Sequence, residues 1–374
     1  MIDKPVIDLL NKQVDDAEEQ ATALPGASDV PAGTVKASDA GPGPRSVAGT
    51  VDSGAPSSTA ASGILVSPGA GYSSEGPQIR SRTDSSVKVE VSGRRDVSVN
   101  HPIVELRRVS KSFGRRRNGA NFKVLDGLDL LIDSGERGAF VVLLGPSGCG
   151  KSTILSLISG LARPDGGEIF VHGKPVTGPS RFSATVPQSY TCFPWLTVLR
   201  NVELGLLLSG QPEKKRRKTA LDYLDKVGLS DRWDAYPKEL SGGMQQRVAM
   251  ARTLATKPDI VLMDEPFGAL DAQTRADMQQ MLIRLWEEEK NTIIFVTHDI
   301  SEALLLGDRV ILFSPRPARV VYERFNLDSE LGHERSPDIL RDPTFVKLCA
   351  EFRDRLKKAM EAAKPGDGSV GKAS

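Results

Sequence analysis

Residues 145–153 read GPSGCGKST, and they constrain the fold of this chain more than any other segment. They follow the apolar run Phe140–Leu144 and precede a second apolar run that begins at Ile154. These runs predict a strand, a glycine-rich loop and a helix, in that order. Glycines let a backbone wrap closely around a phosphate, and the helix start offers unpaired N–H groups with a favourable dipole. The segment therefore predicts a phosphate-binding loop in an α/β fold.

Two polar residues of this loop carry the expected chemistry. Lys151 would place a positive charge near the β- and γ-phosphates of a nucleotide. The hydroxyl of Ser152 is a suitable ligand for Mg²⁺. Cys149, between Gly148 and Gly150, is predicted to be a small filler. The loop therefore predicts a site for a nucleotide with its magnesium ion.

A second glycine motif lies at residues 240–247, LSGGMQQR. Ser241 occupies the position of a helix N-cap, and Pro258 closes the helical run that follows. Gly242 and Gly243 leave the helix start bare for another anion. An ordinary capped helix is the alternative interpretation, and the carboxylates that follow in the sequence weigh against it.

Asp264 and Glu265 end a strand-like run that begins at Ile260. Two carboxylates at the end of a strand suit magnesium-assisted phosphate chemistry, because one can join the metal shell while the other orients and deprotonates water. His298 follows another strand-like run, residues 293–296, in a chain with only four histidines. The alternative interpretation is a buried histidine whose hydrogen bonds are made within the core.

The order of these motifs resembles that of the ATP-binding subunits of ABC transporters, and the resemblance covers about residues 103–319. It implies a fold of the α/β class, with a P-loop NTPase (RecA-like) core, an antiparallel β lobe and an inserted helical subdomain. ATP and Mg²⁺ are the implied cofactors. The implied ATP-binding residues are Phe113, Gly145, Pro146, Ser147, Gly148, Cys149, Gly150, Lys151, Ser152, Thr153, Ser241, Gly242, Gly243 and Asp271.

Several of these residues have particular implied roles. Phe113 would stack on adenine, although Val109 and Phe113 could instead share an apolar face in the core. Ser241 and Gly243 would donate to the γ-phosphate bound by an opposite subunit. Asp271 would be the aspartate of the D-loop.

The resemblance also implies catalytic and metal-binding residues. Glu265 would be the general base, His298 would hold the γ-phosphate, and Gln188 would contact Mg²⁺ and sense the membrane partner. The implied metal ligands are Ser152, Gln188 and Asp264. Pro187, directly before the glutamine, cannot donate to a sheet ladder and so predicts a strand end or a sheet edge there.

Three further segments narrow the resemblance to the nitrate, sulfonate and taurine importers: residues 190–202, residues 263–275, and SPRP at residues 314–317. That subfamily implies two copies of the chain in a head-to-tail dimer at the cytoplasmic face of the cell membrane. Separate membrane permease subunits would be the direct partners. An extracytoplasmic solute-binding protein would deliver a small anionic solute to them.

Two other functions fit parts of the pattern. A soluble ABC-type ATPase acting on nucleic acid or ribosomes would have tandem ATPase domains or a long coiled-coil insertion before Ser241, and the sequence has neither. The formal net charge of +1 also argues against nucleic acid as a partner. A regulatory ATP-binding module would lack Glu265 or His298, and both are present.

Composition divides the chain into three parts. Residues 1–100 contain no Phe or Trp and are predicted to be disordered, because they cannot bury enough apolar surface to offset chain entropy. Residues 101–330 are the predicted ATP-binding domain, with the helical subdomain at about residues 193–245. Residues 331–374 are predicted to be a helical appendage and a loose tail.

Two segments of the helical subdomain have alternative interpretations. Residues 193–196, FPWL, are predicted to dock a permease helix, or else to belong to the subdomain core. The basic run at residues 214–218, KKRRK, is predicted to be a solvated helix face and not a nucleic-acid site. The sequence has no run of 18 apolar residues and no leader pattern, so neither a membrane span nor a signal peptide is expected.

Overall fold

The computed structural model describes residues 90–92, 102–115, 121–134, 138–188, 192–325, 327–332 and 337–363. All of them belong to the unit Gly76–Ser374 of the chain. The predictions for residues 1–89 and for the loose tail at residues 364–374 lie outside these ranges. Within the ranges, none of the helices combines the length and the apolar character that crossing a membrane requires.

Strands and helices alternate along most of the described chain. In chain order the strands are β1 (Glu90–Ser92), β2 (Val104–Arg115), β3 (Asn121–Ile132), β4 (Phe140–Leu144), β5 (Gly166–Val171), β6 (Lys174–Pro175), β7 (Ser183–Val186), β8 (Ile260–Asp264), β9 (Thr292–Thr297), β10 (Arg309–Phe313) and β11 (Val320–Arg324). The α-helices are α1 (Lys151–Ile158), α2 (Val198–Leu208), α3 (Glu213–Lys226), α4 (Gly242–Leu254), α5 (Ala272–Glu289), α6 (Ile300–Leu306), α7 (Leu327–Leu331) and α8 (Pro343–Ala362). Short 3₁₀ helices occupy Ser230–Arg232, Pro237–Glu239 and Pro337–Arg341.

A seven-stranded sheet forms the centre of the fold, in the order β1-β11-β10-β4-β9-β8-β7. The five strands from β10 to β7 pair in parallel, whereas β11 runs antiparallel to β10. Alternate residues of β4 belong to two hydrophobic clusters, Val142 to one and Val141 and Leu143 to the other. Both faces of the sheet are therefore covered, which explains why its central strands are continuous apolar runs.

A smaller antiparallel sheet, in the order β3-β2-β5-β6, confirms the predicted β lobe. Leu106 and Leu125 of this lobe share a hydrophobic cluster with Ile154 and Leu157 of α1. The lobe therefore packs over the helix that follows the glycine-rich loop. Strand β4, which follows the β2–β3 pair of this lobe in the chain, belongs to the central sheet.

Helices α2, α3 and α4 pack together as the inserted helical part, and an ion pair is buried between the first two. Glu203 of α2 lies 3.6 Å from Arg216 of α3 and 3.2 Å from Arg200. Arg216 is buried, although the run at residues 214–218 was predicted to be solvated. The prediction is wrong for this arginine because it neutralises a buried carboxylate, and its basic neighbours in the run are exposed.

The C-terminal helix α8 shares the main core. Asp342 caps its first turn, accepting from the N–H groups of Thr344 and Phe345. Phe345 and Phe352 belong to the larger hydrophobic cluster, and the ring of Phe352 lies 5.1 Å from that of Tyr322 on β11. The helix of the predicted appendage therefore packs against the central sheet as part of the same core.

Strand β1 lies in the region that was predicted to be disordered. It pairs in parallel with β11, in the register Glu90↔Tyr322 and Ser92↔Arg324. The prediction for residues 1–100 weighed apolar side chains, but strand pairing at a sheet edge is made by backbone groups and needs few of them. The central sheet therefore has one more strand than the sequence indicates.

Two truncated proteins test the contribution of β1 to stability apart from that of the residues before it. Deleting residues 1–86 should leave the melting temperature unchanged, because that segment is poor in core-forming residues. Deleting residues 1–95 also removes β1 and its ladder, so the melting temperature should fall by about 2–4 °C, the equivalent of about 1 kcal/mol. Equal melting temperatures for the two truncated proteins would show that β1 contributes nothing to stability.

Candidate active site

The glycine-rich loop connects β4 to α1 and has a backbone that only glycine adopts easily. Gly148 and Gly150 have φ values of 72° and 129°. A Cβ on Gly150 would lie 2.8 Å from Cγ1 of Val124 in the β lobe. Six of the predicted phosphate-binding residues lie in the loop before the helix: Gly145, Pro146, Ser147, Gly148, Cys149 and Gly150. The other three form the first turn of the helix: Lys151, Ser152 and Thr153.

Lys151 is buried and folds back over the loop from which it emerges. Its ammonium group donates to the carbonyl oxygens of Gly145, at 2.7 Å, and Pro146, at 3.1 Å. Cys149 is also buried, as expected of a filler, and burial raises the pKa of its thiol. The loop therefore encloses one fixed cation within a curve of backbone.

Ser152 and Asp264 join α1 to the end of β8. The serine hydroxyl donates to a carboxylate oxygen of Asp264 at 2.9 Å. Burial raises the pKa of the Asp264 carboxyl and the charge of Glu265 adds to the rise, while Ser152 and Lys151 oppose it. No group of three or more His, Cys, Asp or Glu side chains in the described chain could hold a metal ion. A hydroxyl and a carboxylate still suit Mg²⁺, which binds one or two protein ligands together with substrate phosphates.

Glu265 and His298 form a second pair, at the ends of the neighbouring strands β8 and β9. Glu265 Oε2 lies 3.1 Å from His298 Nδ1. The glutamate has a left-handed backbone with φ of 43°, and its N–H donates to the carbonyl of Val296 on β9. A non-glycine residue in this conformation stores about 1–3 kcal/mol of strain. His298 is 53% exposed, so it is not the satisfied buried histidine of the alternative interpretation.

A buried network behind His298 was not predicted. Thr297 Oγ1 accepts from the N–H of Asp299 and donates to Glu302 Oε2, while Gln279 Nε2 donates to Glu302 Oε1. Glu302 is buried, and burial raises the pKa of its carboxyl. The spacing Asp299-x-x-Glu302 at the start of a helix is the sequence signal that could have indicated part of this network.

The starts of α4 and α5 lie side by side. Ser241 caps α4, accepting from the N–H of Met244, which confirms the predicted N-cap. Asp271 caps α5, and the N–H of Thr274 lowers the pKa of its carboxyl. A Cβ on Gly243 would lie 2.7 Å from Cγ2 of Thr274, so only glycine fits this contact. Gly242 is the first residue of α4.

Phe113 and Gln188 are two further predicted site residues, and both are exposed. Phe113, in the β lobe, is 48% exposed and pairs across the sheet with Phe122. This exposure contradicts the alternative that Phe113 is a core residue. Gln188 is exposed after Pro187, which ends the edge strand β7 as predicted.

Trp195 is 61% exposed at the surface of the helical part, so the alternative of a core tryptophan is wrong. Its ring lies 5.7 Å from that of Phe193. The guanidinium of Arg252 lies 5.3 Å from the Phe193 ring and holds that side of the pair. The two rings form a partly exposed aromatic pair.

Comparison with known proteins identifies the family. The ABC transporter family model matches residues 125–268. A putative ATP-binding protein of Brucella abortus is 47% identical over 244 residues, which cover 65% of this chain and 90% of that protein. The chain belongs to the ATP-binding proteins of the ABC transporter family.

Other relatives of this ABC protein have more specific names. The nitrate import ATP-binding protein NrtD of Synechocystis sp. is 47% identical over 236 residues, covering 62% of this chain and 88% of the relative. The taurine import ATP-binding protein TauB of Rhizobium johnstonii is 46% identical over 246 residues, covering 64% and 92%.

Solved structures agree with the fold of this ABC protein. A dimeric ATP-binding cassette in a post-hydrolysis state, bound to ADP and phosphate, is 35% identical. Its TM-score is 0.52, with 59% of this chain and 97% of that chain covered. The α/β fold with a P-loop NTPase core is thereby confirmed, and the chain is an ATP-binding subunit that hydrolyses ATP.

Replacing Thr297 with valine tests the network behind His298. Thr297→Val keeps the shape of the side chain but leaves a buried carboxylate oxygen and the Asp299 N–H without their partner. We expect urea unfolding to show a loss of about 1–3 kcal/mol. Thr292→Val is the matched control, because Thr292 is buried on the same strand and its hydroxyl has no hydrogen-bond partner among the described residues. Equal effects of the two substitutions would contradict this role of Thr297.

Proposed function

We propose that this ABC protein is the ATP-hydrolysing subunit of an importer for a small anionic solute of the nitrate, sulfonate or taurine type. The observation that carries the proposal is the pair Glu265 and His298, whose Oε2 and Nδ1 atoms lie 3.1 Å apart. The pair follows the carboxyl ends of β8 and β9, and the glycine-rich loop follows the carboxyl end of the neighbouring strand β4. A general base and a residue for the γ-phosphate are thus adjacent. The named nitrate and taurine import relatives support the solute class.

ATP would bind with its phosphates in the loop and its adenine against the β lobe. The N–H groups at the start of α1 and the ammonium of Lys151 would hold the β- and γ-phosphates. The exposed ring of Phe113 offers a face for adenine. The terminal phosphate would then lie toward the ends of β8 and β9.

Ser152 and Asp264 are the residues that would hold Mg²⁺, with Gln188 as a third ligand. When bound, the ion neutralises phosphate charge during hydrolysis. The hydrogen bond of 2.9 Å between the hydroxyl and the carboxylate already brings two of these oxygen ligands together.

Glu265 would take a proton from water as the water oxygen bonds to the γ-phosphorus. The bond from that phosphorus to the ADP oxygen then breaks, and ADP and phosphate leave. His298 contacts Glu265 through Nδ1, which leaves Nε2 for a γ-phosphate oxygen. The N–H of Glu265 donates to the carbonyl of Val296 on β9, and this hydrogen bond anchors the backbone that carries the carboxylate.

Two copies would close head to tail around two ATP molecules. Ser241 is exposed at the start of the 13-residue helix α4, and Gly243 lies against α5. The Ser241 hydroxyl and the first N–H groups of this helix would meet a phosphate from another subunit. Asp271 lies at the neighbouring helix start and would border the same interface. The dimeric cassette structure bound to ADP and phosphate supports this assembly.

The aromatic pair Phe193 and Trp195 would couple the dimer to the permease. A partly exposed aromatic pair at the surface of the helical part suits an amphipathic helix of a partner. The chain would then work at the cytoplasmic face of the membrane, with permease subunits as direct partners. An extracytoplasmic binding protein would supply the solute to the permease.

The substitution Glu265→Gln tests the proposed base. The amide preserves size and hydrogen bonding but cannot accept a proton, so steady-state ATP hydrolysis should fall by about two orders of magnitude or more. ATP binding should persist, and gel filtration with Mg-ATP should show a dimer. Glu287→Gln, on the exposed surface of α5, is the control and should hydrolyse ATP normally. Near-normal turnover with Glu265→Gln would exclude this residue as the base.

The substitution Trp195→Ala tests coupling. If the ring docks a permease helix, its loss should remove about 2 kcal/mol or more of interface energy. Co-purification with the permease and uptake of labelled nitrate, taurine or an alkanesulfonate should be lost. The melting temperature should be unchanged, and the rate of basal ATP hydrolysis should stay within a few-fold of that of the parent. Trp233→Ala is the matched control, since Trp233 is a second exposed tryptophan of the helical part. Full co-purification of Trp195→Ala would contradict the docking role.

A further inference from the structure

A pocket of about 460 Å³ lies between the loop after β10 and the C-terminal end of α8. Pro315, Pro317 and Val321 line one side, and Ala359 and Ala362 of α8 line the other. This volume lies within the range of small-molecule sites, about 300–1,000 Å³, and such sites are also mostly apolar with a few polar groups. The pocket is separate from the residues assigned to ATP hydrolysis.

The charged residues of this pocket are all cations: Arg316, Arg319, Arg355 and Lys358. Arg355 is engaged by Glu351, at 3.2 Å, and by the ring of Tyr322. Across the described ranges, the other three have no carboxylate within ion-pair distance. Unpaired cations beside apolar walls favour a ligand that brings its own negative charge.

We propose that this pocket binds a small organic anion with a short aliphatic body. Its sulfonate, carboxylate or phosphate head pairs with Arg319 and Lys358, and its body lies along the alanines of α8. Arginine and lysine differ here, because the arginine fork can bind two oxygens of such a head while the lysine acts as a point charge.

Arg316 connects this pocket to the glycine-rich loop. Its guanidinium lies 4.3 Å from the ring centroid of Phe122, which holds it in place. A Cβ on Gly148 would lie 3.0 Å from Arg316 Nη2, so the same guanidinium borders the loop. One positive charge thus faces both the pocket and the place where the nucleotide phosphates bind.

A head group held by Arg319 and Lys358 would also be attracted by the charge of Arg316, which lines the same pocket. The anion would therefore compete with the nucleotide for that charge. Occupancy of the pocket should weaken nucleotide binding, and nucleotide should weaken anion binding by the same factor, because coupling between two ligands is reciprocal. The pocket is in this way a negative regulator of the ATP site.

Calorimetric titration of the full chain with pentanesulfonate tests the site. We expect saturable binding of one molecule, and no saturable binding of pentanol, which has the same body without the charge. The double variant Arg319→Gln with Lys358→Gln should bind pentanesulfonate at least about tenfold more weakly. Lys357→Gln is the matched control on the same helix, because Lys357 is exposed and does not line the pocket. Its binding should equal that of the parent.

The coupling is measured by titrating ADP in the presence and absence of saturating pentanesulfonate. We expect the anion to weaken ADP binding by about fivefold in the parent, and the effect to disappear in Arg316→Gln. Absence of saturable pentanesulfonate binding, or unchanged binding in the double variant with an unchanged melting temperature, would overturn the site. Equal ADP affinity with and without the anion would overturn the link through Arg316.

Discussion

The parallel pairing of β4, β9 and β8 is the constraint on which the candidate active site depends. Parallel strands present their carboxyl ends at one edge of a sheet, so residues far apart in sequence meet there. Ser152 and Asp264, 112 positions apart, are brought within 2.9 Å by this arrangement. Glu265 and His298 follow β8 and β9 and meet in the same way. The register of the sheet therefore sets the geometry of the site.

Local signals were sufficient for much of this site. The glycine-rich loop, the N-cap role of Ser241 and the strand end at Pro187 each depend on the conformational limits of one or two residues, and the structure agrees with them. Phe113 was predicted to stack on adenine and residues 193–196 to dock a partner, but a core position stayed open as the alternative for both, because an aromatic residue near an apolar pattern fits a core equally well. Tertiary packing decided both.

Features that depend on long-range partners were missed. The carboxylate of Glu302 is satisfied by Gln279 on another helix, 23 positions away, and no local pattern links the two. The burial of Arg216 depends on Glu203 in the preceding helix, which turns one residue of a basic run inward. The pairing of β1 with β11 depends on backbone groups and leaves little trace in composition.

The left-handed backbone of Glu265 places stability and activity in opposition at one position. Glycine would adopt a φ of 43° without strain, but it lacks the carboxylate that is proposed here as the base. Selection for thermal stability alone would favour the loss of this glutamate, whereas selection for turnover retains it. Stabilised versions of the protein obtained without an activity screen are therefore expected to accumulate changes at this position first.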